Sequence, residues 1–391
     1  MLVVTVSAVS RAQNVSTDDS RAQFPALLKN SYFSVNVGGV DYSFSDAQLQ
    51  PGFQAGSITA PRVATRVALF GHELTRYLSV QGTYMRPVRY VAYRDVNGDQ
   101  SVHHVWMHFG GVTMKLRAAL GGRASIFGEG GLGITSRSGF EIGDRPVVGD
   151  AHYAAPIAGG GFEYELSPAW SWTAGVLYSP GRSRDAQPPT IFTSGGFRYT
   201  MRPLSAERVQ TTREGGAIFP EHIVQFELST AYGYGVNRFL SRQLPVFWFG
   251  NVNVDRGVAL HYTRNVFHSR RLFSLDLGAS ASRWRSQTER NGFYTLSVYP
   301  LVRFTFLRTR PADLFAVYSL AGPTYISQSI VDRRDTGNHF TFQDFMGAGV
   351  FVGRRRKVTL GVKINHYSNR NIFTENAGLK IPITFSAGLT F

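Results

Sequence analysis

The sequence predicts an all-β fold of two tandem eight-stranded antiparallel up-and-down barrels, and three observations lead there. Apolar and polar residues alternate with the two-residue period of a strand through sixteen segments. The connections between segments are alternately long and short, the pattern of outer-membrane barrels with long external loops and tight periplasmic turns. One polar stretch, 204–220, divides the sixteen segments into two equal sets. No apolar run reaches the roughly 18 residues of a transmembrane helix, so a membrane crossing must be made by strands.

Composition fits this reading. The 391 residues include 41 glycines, 13% aromatics and 17% charged residues. Cysteine is absent, which removes disulfides and cysteine metal sites from consideration. The net charge of +15 comes from arginines and lysines scattered through turns and loops, without a basic helical stripe, so nucleic acid is not the expected partner. A basic surface also suits anionic partners of other kinds.

Residues 1–12 read as a residual signal peptide, with an apolar core from Leu2 to Val9 and small residues at Ser10 and Ala12, and 13–30 as an N-terminal tail. Strand-like segments follow at 32–43, 62–74, 76–90, 103–118, 123–136, 152–166, 169–179 and 190–202. In the seventh, Trp170, Trp172, Ala174, Val176 and Tyr178 alternate with Ser171, Thr173 and Gly175. This half, 31–203, resembles a small OmpA-type barrel. Residues 204–220, with Glu207, Arg208, Arg213, Glu214 and a Gly-Gly pair, form the expected periplasmic linker. The linker is too long for a tight turn, which favours two barrels over one sixteen-stranded barrel. The Asp95–Asp99 stretch begins like a calcium loop but has Trp106 where the twelfth-position acid belongs, so a turn is expected there.

Residues 221–391 repeat the count, at 222–234, 246–266, 272–284, 292–308, 313–327, 340–353, 357–369 and 381–391. Glu227, Asp276, Arg303 and Lys363 fall on the inward parity. Side chains fill the interior of a barrel this small, so these charges are expected to pair there. In the seventh segment Val358, Leu360, Val362 and Ile364 face lipid, and His366 and Ser368 continue the same face. Polar groups in hydrocarbon are costly unless paired or functional.

The run His366-Tyr367-Ser368-Asn369, followed by Asn376-Ala377-Gly378 and a short closing strand, resembles the C-terminal signature of the outer-membrane lipid A 3-O-deacylases. The resemblance implies an integral outer-membrane serine esterase acting on lipid A, without a metal or cofactor. It further implies His366 as base and Ser368 as nucleophile, with Asn369 and Asn376 positioning the substrate or its oxyanion. One departure stands out: the position of the family's catalytic Glu is Lys380 here.

A replacement acid follows from register. Phe340, Phe342, Asp344, Met346 and Ala348 share the lipid-facing parity of the sixth segment. A symmetric hairpin pairing Val352 with Val358 puts Asp344 directly opposite His366, where Cβ atoms lie about 5 Å apart. Glu375 is the alternative acid, and the loop arginines Arg333, Arg334 and Arg370 are candidate contacts for lipid A phosphates. The first barrel is expected to be structural or adhesive, and nothing in the sequence sets the oligomeric state. Two other readings compete: a non-enzymatic barrel with a decayed triad, for which Lys380 speaks, and a porin.

Overall fold

The computed structural model describes residues 20–230 and 250–391. The expected signal peptide, residues 13–19 of the tail and the expected loop 237–245 lie outside the described residues.

The first barrel consists of β1 Ser31–Asp41, β2 Val63–Glu73, β3 Leu78–Pro87, β4 Asp99–Gly121, β5 Ala124–Ser138, β6 Ala151–Glu165, β7 Trp170–Ser179 and β8 Thr190–Thr200. Each strand pairs antiparallel with the next, and β8 returns to β1, closing the barrel. The second consists of β9 His222–Ser229, β10 Val252–His268, β11 Phe273–Ser286, β12 Gly292–Arg308, β13 Ala312–Ile326, β14 Phe340–Val352, β15 Val358–Ser368 and β16 Leu379–Thr390. It is closed by β9 pairing with β16. Two closed barrels replace the single sixteen-stranded alternative.

Period-two alternation sets the two faces. Outward positions such as Val112, Leu116, Leu296, Val298 and Leu389 are exposed, as lipid-facing residues should be. Inward charges pair as expected. Lys363 Nζ lies 2.5 Å from Glu227 Oε2, and Arg303 Nη2 lies 2.7 Å from Asp276 Oδ2. The first barrel repeats the device with Arg66 on Glu129 at 2.6 Å and Arg198 on Glu163 at 2.6 Å. Among the described residues, paired charges fill both interiors, as expected of eight-stranded barrels and against the porin reading.

Besides short hairpins at 140–148 and 330–335, two larger features depart from the expected string. Residues 55–59 and 91–96, assigned mainly to loops from the sequence, are strands that extend the outer end of β4 into a side sheet. Tyr93, Val96, Val105 and Met107 bury themselves there with Tyr42 and Val148. The turn at its tip carries left-handed Asp95, Asn97 and Gly98, so the calcium-like stretch is a hairpin. Within the linker, Ala206–Arg213 forms a short helix α1, whose N-cap Ser205 accepts from the Arg208 N–H. Being polar nearly all round, this helix has no apolar period by which to be recognised.

The barrels touch at both ends. On the side of the linker, Phe24 of the tail stacks on Phe267 of β10 with centroids 4.1 Å apart. Gln23 exchanges two hydrogen bonds with the backbone of Leu204, each 3.0 Å. At the outer end, Ser136 Oγ donates to Asn371 O at 3.0 Å, and His152 Nε2 lies 3.1 Å from Ile372 O.

Candidate active site

The β14–β15 hairpin turns through left-handed Gly353 and Arg356 and pairs Val352 with Val358. That register places Asp344 opposite His366, as the symmetric hairpin requires. On the other flank, β16 brings Lys380 into register with His366. Along the outward face of β15, Val358, Leu360 and Val362 are exposed, but Ile364 and His366 are buried at 7% and 1%. The face is therefore bare to lipid near the hairpin and covered near the outer rim.

His366 Nδ1 lies 3.8 Å from Asp344 Oδ2, an ion-pair distance beyond a direct hydrogen bond. The carboxylate is anchored by other donors. Arg370 Nη2 donates to Oδ1 at 2.7 Å and to Oδ2 at 2.9 Å, and the Ala321 N–H donates to Oδ1 at 2.6 Å. Ala321 supplies that amide because β13 bulges between Ser319 and Gly322, with Ala321 itself at φ 57°. Burial alone would lower the pKa of Arg370, but the Asp344 carboxylate outweighs it and holds the guanidinium charged.

After Ser368 the chain reverses through Arg370 and Asn371, both left-handed. The reversal returns Asn376 to Ser368, whose Oγ lies 3.0 Å from Asn376 Nδ2 and 3.2 Å from the Arg370 N–H nitrogen. Asn376 Oδ1 accepts the Asn369 N–H at 3.0 Å, and Nδ2 also donates to Asn371 Oδ1 at 2.8 Å. The Ser368 hydroxyl also donates to Asn376 Oδ1 at 3.1 Å, so the amide meets Oγ with both its oxygen and its NH₂.

Three expectations need correction. Asn369 is not an oxyanion donor: its side-chain amide donates to Thr336 O and Glu375 O, 2.9 and 2.5 Å, and ties two loops together. Glu375 has an exposed side chain and offers its carbonyl, not its carboxylate, to that network. Arg370 is not a surface contact for phosphate but a clamp on Asp344. Arg333 and Arg334 stay exposed, with Arg333 Nε 2.5 Å from Glu289 Oε1.

Asp344, His366, Ser368, Arg370 and Asn376 line one side of a cleft of about 500 Å³. Its other side is the first barrel, through Tyr84, Arg86, Trp106, His108, Ser136 and His152. That side was missed from the sequence, although a parity test of β4 would have flagged His108 on the outward face.

Two closed barrels, apolar outside and ion-paired inside, define an integral outer-membrane β-barrel protein. Within it, residues 256–384 match the family model of lipid A 3-O-deacylase (PagL). The match runs from β10 into β16 and includes each of the second-barrel site residues named above. Among solved structures, the outer membrane enzyme PagL is 17% identical, with a TM-score of 0.32 over 43% of this chain and 99% of that one. The N-terminal β-barrel domain of Pseudomonas aeruginosa OprF is 13% identical, with a TM-score of 0.28 over 44% of this chain and 97% of its own. Neisserial surface protein A gives 13% and 0.30 over the same shares. No curated protein matches the chain.

Proposed function

We propose that the second barrel is a serine esterase that removes an ester-linked acyl chain from lipid A at the outer leaflet. The observation that supports it is the convergence of Asp344 and His366 in cross-strand register with Ser368 beside them, on a wall that otherwise faces lipid. In this reading Ser368 Oγ leaves Asn376 and attacks the ester carbonyl while His366 takes its proton. Asp344 orients the imidazole and stabilises its charged form. The Arg370 N–H and Asn376 Nδ2, each about 3 Å from Oγ, then serve the carbonyl oxygen as it gains charge. His366 then protonates the departing sugar alcohol, and water releases the acyl group by the same steps in reverse.

Lys380, in register with His366, is the observation behind a second reading, a barrel that keeps the fold without the activity. Mass spectrometry of lipid A from cells carrying wild type or Ser368→Ala at equal outer-membrane levels separates the two. Loss of one acyl chain with wild type alone is the expected result. Identical lipid A in both, across several lipid A structures, would leave the non-enzymatic reading.

A further inference from the structure

Ser136 and His152 stand directly opposite one another on β5 and β6. Both lie on the outward parity, which the exposed Ile126 and Leu132 set along β5 and the exposed Tyr164 along β6. A hydroxyl and an imidazole on such a face are costly unless they meet a polar partner. They meet the second barrel. Ser136 Oγ lies 2.9 Å from His152 Nδ1 and donates to Asn371 O at 3.0 Å. His152 Nε2 lies 3.1 Å from Ile372 O, and because a carbonyl only accepts, Nε2 is the N–H donor.

The loop they hold is the one that serves Ser368. It leaves β15 through Arg370 and Asn371, at φ 55° and 58°, a region that residues other than glycine rarely adopt and that persists only where surrounding bonds over-determine it. Within the loop, Asn369 Oδ1 accepts the Asn371 N–H at 2.8 Å and Asn369 O accepts the Ile372 N–H at 3.1 Å. Those bonds secure the amide side of the reversal, and the first barrel takes the two carbonyls. Asn371 is tied to the site directly: its Oδ1 accepts from Asn376 Nδ2 at 2.8 Å, and the same Nδ2 lies 3.0 Å from Ser368 Oγ. A chain of three hydrogen bonds thus runs from Ser136 through Asn371 and Asn376 to the nucleophile.

We propose that Ser136 and His152 are positioning residues for the esterase, and that the first barrel braces the loop that presents the Arg370 N–H and Asn376 to Ser368. The inference rests on the deacylase reading for the chemistry, while the brace stands on the contacts between the barrels. It gives the first barrel a part in the reaction rather than a structural or adhesive role alone. The brace acts through the loop and not on the bound lipid, so its loss is felt in the alignment of nucleophile and oxyanion donors, and hence in kcat more than in KM.

The test uses the full chain in detergent micelles, with fatty acid release from lipid A giving kcat and KM per folded molecule. Ser136→Ala combined with His152→Ala is expected to lower kcat about tenfold, within the roughly 10²-fold that a displacement of about 1 Å can cost, and to leave KM within about twofold. His152→Gln with Ser136 kept should recover most of that loss, since its amide can still donate to Ile372 O. An unchanged kcat in the folded double variant, a loss confined to KM, or a loss that His152→Gln does not relieve would overturn the proposal. Should the double variant fail to fold, His152→Ala alone decides by the same measurements. Hydrogen exchange over residues 369–378 reads the brace without turnover and is expected to quicken in the double variant. Quickened exchange in a protein whose wild type cleaves nothing would refute the esterase and keep the brace. Cleavage by wild type, with exchange and kcat both unmoved by the double variant, would refute the brace and keep the esterase.

Discussion

Asp344→Asn isolates the acid. The asparagine oxygen would stay at the Oδ1 position, where it accepts from the Ala321 N–H and from Arg370. Its NH₂ then replaces Oδ2, which accepts from Arg370 at 2.9 Å and lies 3.8 Å from His366 Nδ1. An amide there donates toward Nδ1 and drives the imidazole proton to Nε2, the tautomer that cannot take a proton from Ser368. The corresponding substitution in a serine protease triad lowers kcat about 10⁴-fold, about 5 kcal/mol of transition-state stabilisation. The loss here should be about 10³–10⁴-fold. The variant also leaves Arg370 charged and uncompensated in a buried site, a cost of about 3–5 kcal/mol, so activity must be normalised to folded barrel. The assay is release of fatty acid from purified lipid A in micelles, with heat-modifiable gel migration reporting the folded fraction. Full activity in folded Asp344→Asn would remove Asp344 from the mechanism. Loss of activity in Glu375→Gln alone would move the role to that exposed side chain.

Arg370→Gln should destabilise the barrel by about 3 kcal/mol in urea melts, whereas Asp344→Asn combined with it should recover much of the stability and none of the activity, since the buried charges then go together. Asn376→Ala should lower kcat about 10²-fold with little change in KM, the signature of a group that bonds the oxyanion more than the bound ester; an unchanged kcat would leave Asn376 as scaffold only. Glu227→Gln, which strands Lys363 inside the second barrel, should cost about 3 kcal/mol of stability while preserving kcat per folded molecule. Phe24→Ala should destabilise by about 3 kcal/mol, read as a lower unfolding midpoint, because its ring is buried on Phe267.

Most of the barrel architecture was legible because every strand states its own two faces. The Asp344–His366 pairing was legible for a related reason: one tight turn at Gly353 sets the register of the whole hairpin. Loop geometry was not. Arg370 and Asn371 adopt left-handed backbone with no glycine to announce it, and that reversal sends the Arg370 guanidinium down to Asp344. Asn369 looked like a donor to substrate because it adjoins Ser368 in the chain, but its amide faces loop carbonyls that no linear pattern reveals. The pairing of one barrel's wall with the other's was hidden as well. It depends on contacts between residues such as Ser136 and Asn371, far apart in the chain, and strand alternation carries no information about them.

The tail and the linker give the pair a mechanical property. Phe24 fastens the tail of the first barrel to the second at one end, with Gln23 tying that tail to the linker, and the Asn371 and Ile372 carbonyls latch the barrels at the other. Two bodies fastened at both ends cannot swing apart about a single joint. The gap between them is thus set as much by the tail as by the residues that line it. A change at Phe24 would loosen the fastening on the inner side and alter the tilt of one cylinder against the other. Its effect would surface at the far end of the pair, as a wider or narrower mouth to the cleft.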